Sequence, residues 1–164
     1  MKITIINTGG TFNKRYNPIK GQLEVPSDNN ALNKITACCH NVEFEIKNVV
    51  SKDSLHIDDA DRKVIADAVN ETENENIIII HGTDTMDLTA AFLELHVQNK
   101  KIVFTGAMIP MSIDEVEATM NFSQAMGFLS ADVENGIYLA MHGVVVNHDK
   151  IKKNKAEGKF LVQE

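Results

Sequence analysis

Runs of branched apolar residues recur at Ile3 to Ile6, Val42 to Val50, Ile77 to Ile80, Ile102 to Phe104 and Ile137 to Met141, the last followed by Val144 to Val146. Several of these runs are nearly continuous, as strands covered on both faces tend to be, because neither face meets water. Between them the spacing turns helical. Val64, Ile65, Ala68 and Val69 share a face within Asp58 to Asn70, as do Leu88, Phe92 and Leu95 within Asp84 to Gln98. Phe122, Ala125, Met126 and Leu129 repeat the stripe within Glu117 to Ala131, and a shorter helix is expected from Asp28 to Cys39. The resulting order, β-α-β-α-β-α-β-α-β, predicts an α/β fold. Its form is a three-layer parallel sheet with helices on both faces, Rossmann- or flavodoxin-like, in one domain spanning residues 1–164.

The chain's 164 residues suit a single core. A net charge of −7 argues against a nucleic-acid partner, since neutralising phosphates needs a basic surface, and the lysines from Lys150 to Lys155 read as a solvated patch. No apolar run approaches the roughly 20 residues that cross a bilayer, so no membrane association is expected. The short apolar run after Lys2 reads as a first strand rather than an export signal. The only cysteines, Cys38 and Cys39, are adjacent, a poor geometry for an ordinary disulfide, which fits a reducing cytoplasm. No histidine falls in a paired-ligand spacing, so neither a metal nor another cofactor is expected.

In parallel sheets ligands bind beyond the carboxyl ends of the strands. Those ends read Asn7-Thr8-Gly9-Gly10-Thr11, Ser51-Lys52-Asp53-Ser54, His81-Gly82-Thr83-Asp84-Thr85 and Thr105-Gly106-Ala107-Met108. The first is neither a GxxxxGK[ST] nor a GxGxxG loop, so a nucleotide site loses its usual support. Glycines between threonines can instead expose amide donors and a hydroxyl together, as acyl transfer requires, although a tight structural turn uses the same residues. Asp84 and Thr85 can cap the following helix. His81 reads as a hydrogen-bonded structural residue, since no serine-type triad partner is evident. Asn13 to Asn30, the longest stretch without periodicity, is either a lid or an irregular surface hairpin.

Together TGGT at the end of the first strand, HGTDTM at the end of a later one and GAMIP after the next resemble the bacterial-type L-asparaginase family. "VVSKDSLHIDD" looks like the family segment that presents a substrate-binding serine, and "NFSQA" resembles its asparagine-bearing helix, so the similarity runs through essentially the whole chain. The resemblance implies that Thr11 is the nucleophile, attacking a side-chain amide to form an acyl-enzyme that water cleaves. It implies a catalytic role for Thr83 and for Asp84, which also helps hold the substrate's amino group. Ser54 would bind the α-carboxylate, with Gly10 and Gly82 completing the substrate-binding set. Aligning "HDKIKKNK" with the family's Thr-Lys-Thr segment selects Lys153, among Lys150, Lys152, Lys153 and Lys155, as the catalytic lysine. A lysine beside a threonine and an aspartate can take and return a hydroxyl proton. Tyr16, ahead of Gly21, matches the family's lid tyrosine and would assist Thr11 on closure.

Two departures accompany the match. Family members usually continue into a second, smaller α/β domain, whereas this sequence stops at Glu164, close to where that domain would begin. Leu55 stands where a polar residue commonly touches the substrate, and a buried substrate group left unpaired costs about 1 to 3 kcal/mol. The expected function is hydrolysis of L-asparagine, or a related small amide, to L-aspartate and ammonia. The expected partner is that small-molecule substrate, with a homo-oligomer allowed as a way to close the pocket. The alternative is a non-catalytic amino-acid-binding or regulatory module on the same fold, and a nucleotide-binding protein is a distant third resting on architecture alone.

Overall fold

In chain order the elements are β1 (Lys2–Gly9), the small hairpin β2 (Arg15–Asn17) and β3 (Gln22–Glu24), α1 (Asn30–Thr36), β4 (Glu43–Lys52) and α2 (Asp59–Asn70). There follow β5 (Asn76–Ile80), α3 (Met86–His96), β6 (Lys101–Thr105), α4 (Glu115–Leu129), β7 (Gly136–Met141), β8 (Val144–Asn147), β9 (Ile151–Asn154) and β10 (Lys159–Val162). They come from a computed structural model that describes residues 1–163.

The central sheet has the order β4-β1-β5-β6-β7-β8. All neighbours run parallel except β8, which returns antiparallel on β7. The run Val144 to Val146 therefore forms an antiparallel edge on an otherwise parallel sheet. Only two residues separate it from β7, too few for the crossover that a parallel partner needs. In order of appearance the parallel strands sit 2-1-3-4-5, the flavodoxin-like arrangement. The chain leaves β1 toward β4 and returns on the other side of β1 to β5. Connections thus diverge between β1 and β5, which opens a crevice at their carboxyl ends.

Period-two alternation divides each buried strand between two cores. Ile77 and Ile79 of β5 join Ile65, Val69, Ala90 and Leu93 from α2 and α3 on one face. Ile78 and Ile80 join Leu32, Ala118, Phe122 and Leu129 from α1 and α4 on the other. All four isoleucines are fully buried, each worth at most about 1.5 to 3 kcal/mol by transfer. Asp58 starts α2 with a capping box through Asp61, and the Asp114 side chain accepts from the Val116 amide at the start of α4.

The stripe expected on α3 is displaced. Leu88 and Leu95 face solvent, Leu95 at 82% exposure, whereas Met86, Thr89, Ala90 and Leu93 face the sheet. Both sets repeat at helical spacing, and Ala90 lets the helix lie close to the sheet while leucines on the far face remain wet. On α2 the buried set is Ile65, Ala66 and Val69, with Val64 turned outward. The α4 stripe packs inward through Phe122, Ala125 and Leu129, and Phe122 meets Phe44 with ring centroids 6.1 Å apart.

These placements distinguish two apolar residues that look alike in sequence. Phe122→Ala is expected to lower unfolding free energy by about 3 to 5 kcal/mol through lost transfer and a cavity. Leu95→Ala is expected to change it by less than about 0.5 kcal/mol. Urea titration of both variants checks this, and equal losses would show that the α3 assignment is wrong.

Candidate active site

β1 ends at Gly9, and Gly9 and the following Gly10 take φ of 98° and 72°, left-handed values that residues with a Cβ resist. A Cβ on Gly10 would lie 2.5 Å from the Cα and N of Gly82, and one on Gly82 would lie 2.5 Å from Ser54 Oγ. The loops following β1 and β5 therefore meet backbone against backbone at the crevice, and Ser54 from the loop after β4 packs against Gly82. Thr11 opens a short 3-10 turn to Asn13 and is partly exposed. Thr8 is buried and donates its hydroxyl to the Ile80 carbonyl at 2.8 Å, so it belongs to the scaffold that ties the two strand ends together.

Asparagines hold this turn. Asn7 and Asn13 exchange side-chain amide hydrogen bonds at 3.0 and 3.3 Å, and Asn13 also donates to the Gly9 carbonyl at 2.7 Å. Asn7 donates to Asn48 on the neighbouring strand at 3.0 Å, and Asn48 in turn donates to the Ser27 carbonyl. Sequence reasoning missed this network. Its members are up to 41 residues apart and follow no periodicity, and the strand-end position of Asn7 was the only available signal.

Ser54 is buried at the start of the turn Ser54–His56, with its Oγ accepting the Asp84 N–H at 3.3 Å and its carbonyl accepting the Thr85 hydroxyl at 2.8 Å. Beside it Lys153 Nζ donates to Thr83 Oγ1 at 2.8 Å and to Asp84 Oδ1 at 2.9 Å. Lys153 comes from β9, folded back from the far edge of the sheet, and it is turned inward while Lys150, Lys152 and Lys155 are exposed. Lys14 reaches Asp53 at 2.6 Å and so links the first turn to the Ser54 loop. Burial pushes the Asp53 carboxyl up, but the Lys14 ammonium and the Leu55 amide outweigh it and hold the group below its ordinary value.

The structure thus gathers Gly10, Ser54, Gly82, Thr83, Asp84 and Lys153, with Thr11 next in chain to the Gly10 contact. It does not bring in Tyr16. That residue lies on β2, opposite Leu23 of β3, and is 61% exposed. The long aperiodic segment therefore contains a small surface hairpin, strapped by Arg15 to Asp28 and Lys20 to Glu24. Leu55 is also exposed, although its amide donates to Asp53.

His81 is fully buried between these groups and the sheet. Its Nδ1 lies 2.8 Å from the Gly82 carbonyl, which can only accept, so that nitrogen carries the proton and Nε2 accepts from the Thr89 hydroxyl at 2.9 Å. Burial pushes its pKa down to about 4, opposed by the Gly82 hydrogen bond. It is a neutral prop under the loop that carries Thr83 and Asp84.

A family model described as "Asparaginase, N-terminal" matches residues 2–160. An L-asparaginase of Thermococcus kodakarensis is 27% identical over 157 residues, covering 93% of this chain and 48% of that protein. One component of the glutamyl-tRNA(Gln) amidotransferase of Pyrococcus furiosus is 32% identical over 152 residues, covering 86% of this chain and 33% of the relative. The solved thermostable L-asparaginase from Thermococcus kodakarensis superposes with a TM-score of 0.86 at 26% identity, over 99% of this chain and 51% of that one. The chain spans about half or less of the length of these relatives. No helix among the described residues is long and apolar enough to cross a membrane.

The depressed His81 pKa sets a pH response. In the unfolded chain the imidazole takes a proton near its ordinary 6.5, but in the folded protein it does so only near 4. Between these values the unfolded state binds more protons, so stability falls as pH drops from 6.5 toward 4, by up to about 3 kcal/mol. Urea midpoints across this window should fall less steeply for His81→Asn, and identical slopes would remove His81 as the cause.

Proposed function

The chain belongs to the asparaginase family, and on that premise we propose that it is an amidohydrolase that cleaves L-asparagine, or a related small amide, to the acid and ammonia through a threonine nucleophile. The observation that carries this reading is Lys153 Nζ lying within hydrogen-bond reach of both Thr83 Oγ1 and Asp84 Oδ1 beside the Gly10 and Gly82 turn. In the proposed reaction Thr11 Oγ1 attacks the side-chain amide carbon, and its proton passes to the leaving nitrogen as ammonia departs. An ester on Thr11 remains. Water then attacks that ester, and its proton is relayed through the Thr83 hydroxyl and Lys153 to Thr11 Oγ1 as the acid product leaves and the threonine hydroxyl is restored.

Ser54 and the backbone of Gly10 and Gly82 line the place for the substrate's α-carboxylate. Asp84 Oδ2 remains for the amino group while Oδ1 accepts from Lys153. Tyr16 enters this scheme only if the β2–β3 hairpin folds over the turn. The two free, adjacent cysteines fit a reducing cytoplasm, and a second copy of the chain closing the open side of the crevice completes the reading.

The test is ammonia release from asparagine, glutamine and other small amides. Glutamine is included because one relative is named for glutamyl-tRNA(Gln) amidotransferase. Thr11→Ala is expected to lower kcat at least about a thousandfold. Lys153→Met is expected to lower it about 10² to 10⁴-fold, the range for a lost proton-transfer group. A wild type that releases no ammonia overturns the hydrolase reading, and if calorimetry then shows micromolar binding of aspartate, the binding-module alternative takes its place. Undiminished activity in Thr11→Ala would remove that residue as nucleophile.

A further inference from the structure

Lys153 comes from a hairpin that lies outside the main sheet, since β9 pairs only with β10. Something must fix that hairpin for its amine to meet Thr83 and Asp84. Directly across from Lys153 in the register stands Phe160, whose backbone N–H donates to His142 Nδ1 at 3.1 Å. The rings of the same two residues meet edge to face, with centroids 5.7 Å apart. Because Nδ1 accepts this bond, Nε2 carries the imidazole proton and donates it to Glu117 Oε1 at 3.2 Å.

Glu117, on α4, also accepts the backbone N–H groups of Met108 and Ile109 at 2.9 and 3.1 Å, in the loop after β6. His142 itself is anchored, its own N–H donating to Asn121 Oδ1 at 3.1 Å while Asn121 Nδ2 donates to the Gly106 carbonyl. A chain of hydrogen bonds therefore runs from the loop at the end of β6, through Glu117 and His142, to the strand opposite Lys153.

The backbone at His142 makes this use of a histidine more telling. His142 and Gly143 join β7 to β8 with φ of 51° and 96°, a two-residue turn for which Asn-Gly is the common choice. Asparagine would fit the turn as well, but its short side chain has no group at the Nε2 position to reach Glu117. We infer that His142 is a positioning residue that docks the β9–β10 hairpin onto the sheet and thereby holds Lys153 against Thr83 and Asp84. The link to catalysis rests on the amide-hydrolysis reading of Lys153, whereas the docking does not.

The experiment compares wild type with His142→Ala and His142→Asn by three readouts: exchange of the Phe160 amide, acetylation of Lys153 resolved by mass spectrometry, and steady-state kinetics. In His142→Ala the Phe160 amide is expected to exchange about tenfold faster and Lys153 to acetylate about threefold faster, as the hairpin opens locally. On an amide that the wild type hydrolyses, kcat falls about tenfold while KM changes less than about threefold. Asn retains an acceptor at the Nδ1 position and suits the positive φ but loses the reach to Glu117, so His142→Asn is expected to speed exchange and acetylation by about half as much as His142→Ala. Should His142→Ala not fold, His142→Gln against His142→Asn decides the same question, because Gln lacks that acceptor. Unchanged exchange and acetylation in the Ala or Gln variant, or equal loosening in His142→Asn, would overturn the proposal. A wild type without ammonia release overturns the hydrolase reading alone, since exchange and acetylation still report on the docking.

Discussion

At the switch point between β1 and β5 the backbone of Gly10 lies against that of Gly82, close enough that a Cβ on Gly10 would force the two strand ends apart. The rest of the site depends on that contact. With the loops touching, Thr11 follows directly from one side and Thr83 and Asp84 from the other, and Ser54 fills the third side against Gly82. A side chain at Gly10 would also demand a φ that L residues seldom adopt, so steric space and conformation exclude the same substitutions.

Around that contact the protein pairs its buried polar groups. Asn7, Asn13 and Asn48 satisfy one another and the turn carbonyls, Thr8 satisfies Ile80, and His81 spends both ring nitrogens on Gly82 and Thr89. Unpaired, each such group would cost on the order of 1 to 3 kcal/mol. Paired, they hold the strand ends rigid around the crevice. Charged side chains sit at the rim, where Lys153 and Lys14 each bridge elements distant in sequence.

The parallel sheet was legible because runs such as Ile77 to Ile80 and Ile102 to Phe104 leave no wet face, a pattern that few folds satisfy. The helices were legible as elements but less so as orientations. Leu88 and Leu95 repeat at helical spacing, as Ala90 and Leu93 do, and only packing against the sheet decides which row is buried. The edge strand β8 read as another apolar run, and its direction followed from the shortness of the His142-Gly143 turn. The Asn13 to Asn30 segment held a hairpin whose strands are three residues each, too short for alternation to stand out.

By itself the sequence determined the layers, the strand ends that face the crevice, and the glycine and threonine chemistry at two of them, because periodicity and backbone freedom are local properties. Among four clustered lysines it offered no local reason to prefer Lys153, which the family alignment selected. Only the tertiary structure turned that amine inward, through a hairpin docked by His142 and Glu117 from elements 11 to 36 residues away in the chain. It also left Tyr16 in solvent and supplied the partners of His81, already read as structural, at Gly82 and Thr89. Hydrogen-bond partners across the fold are set by which strands and loops become neighbours, and that adjacency is created by the crossovers rather than written in any one segment.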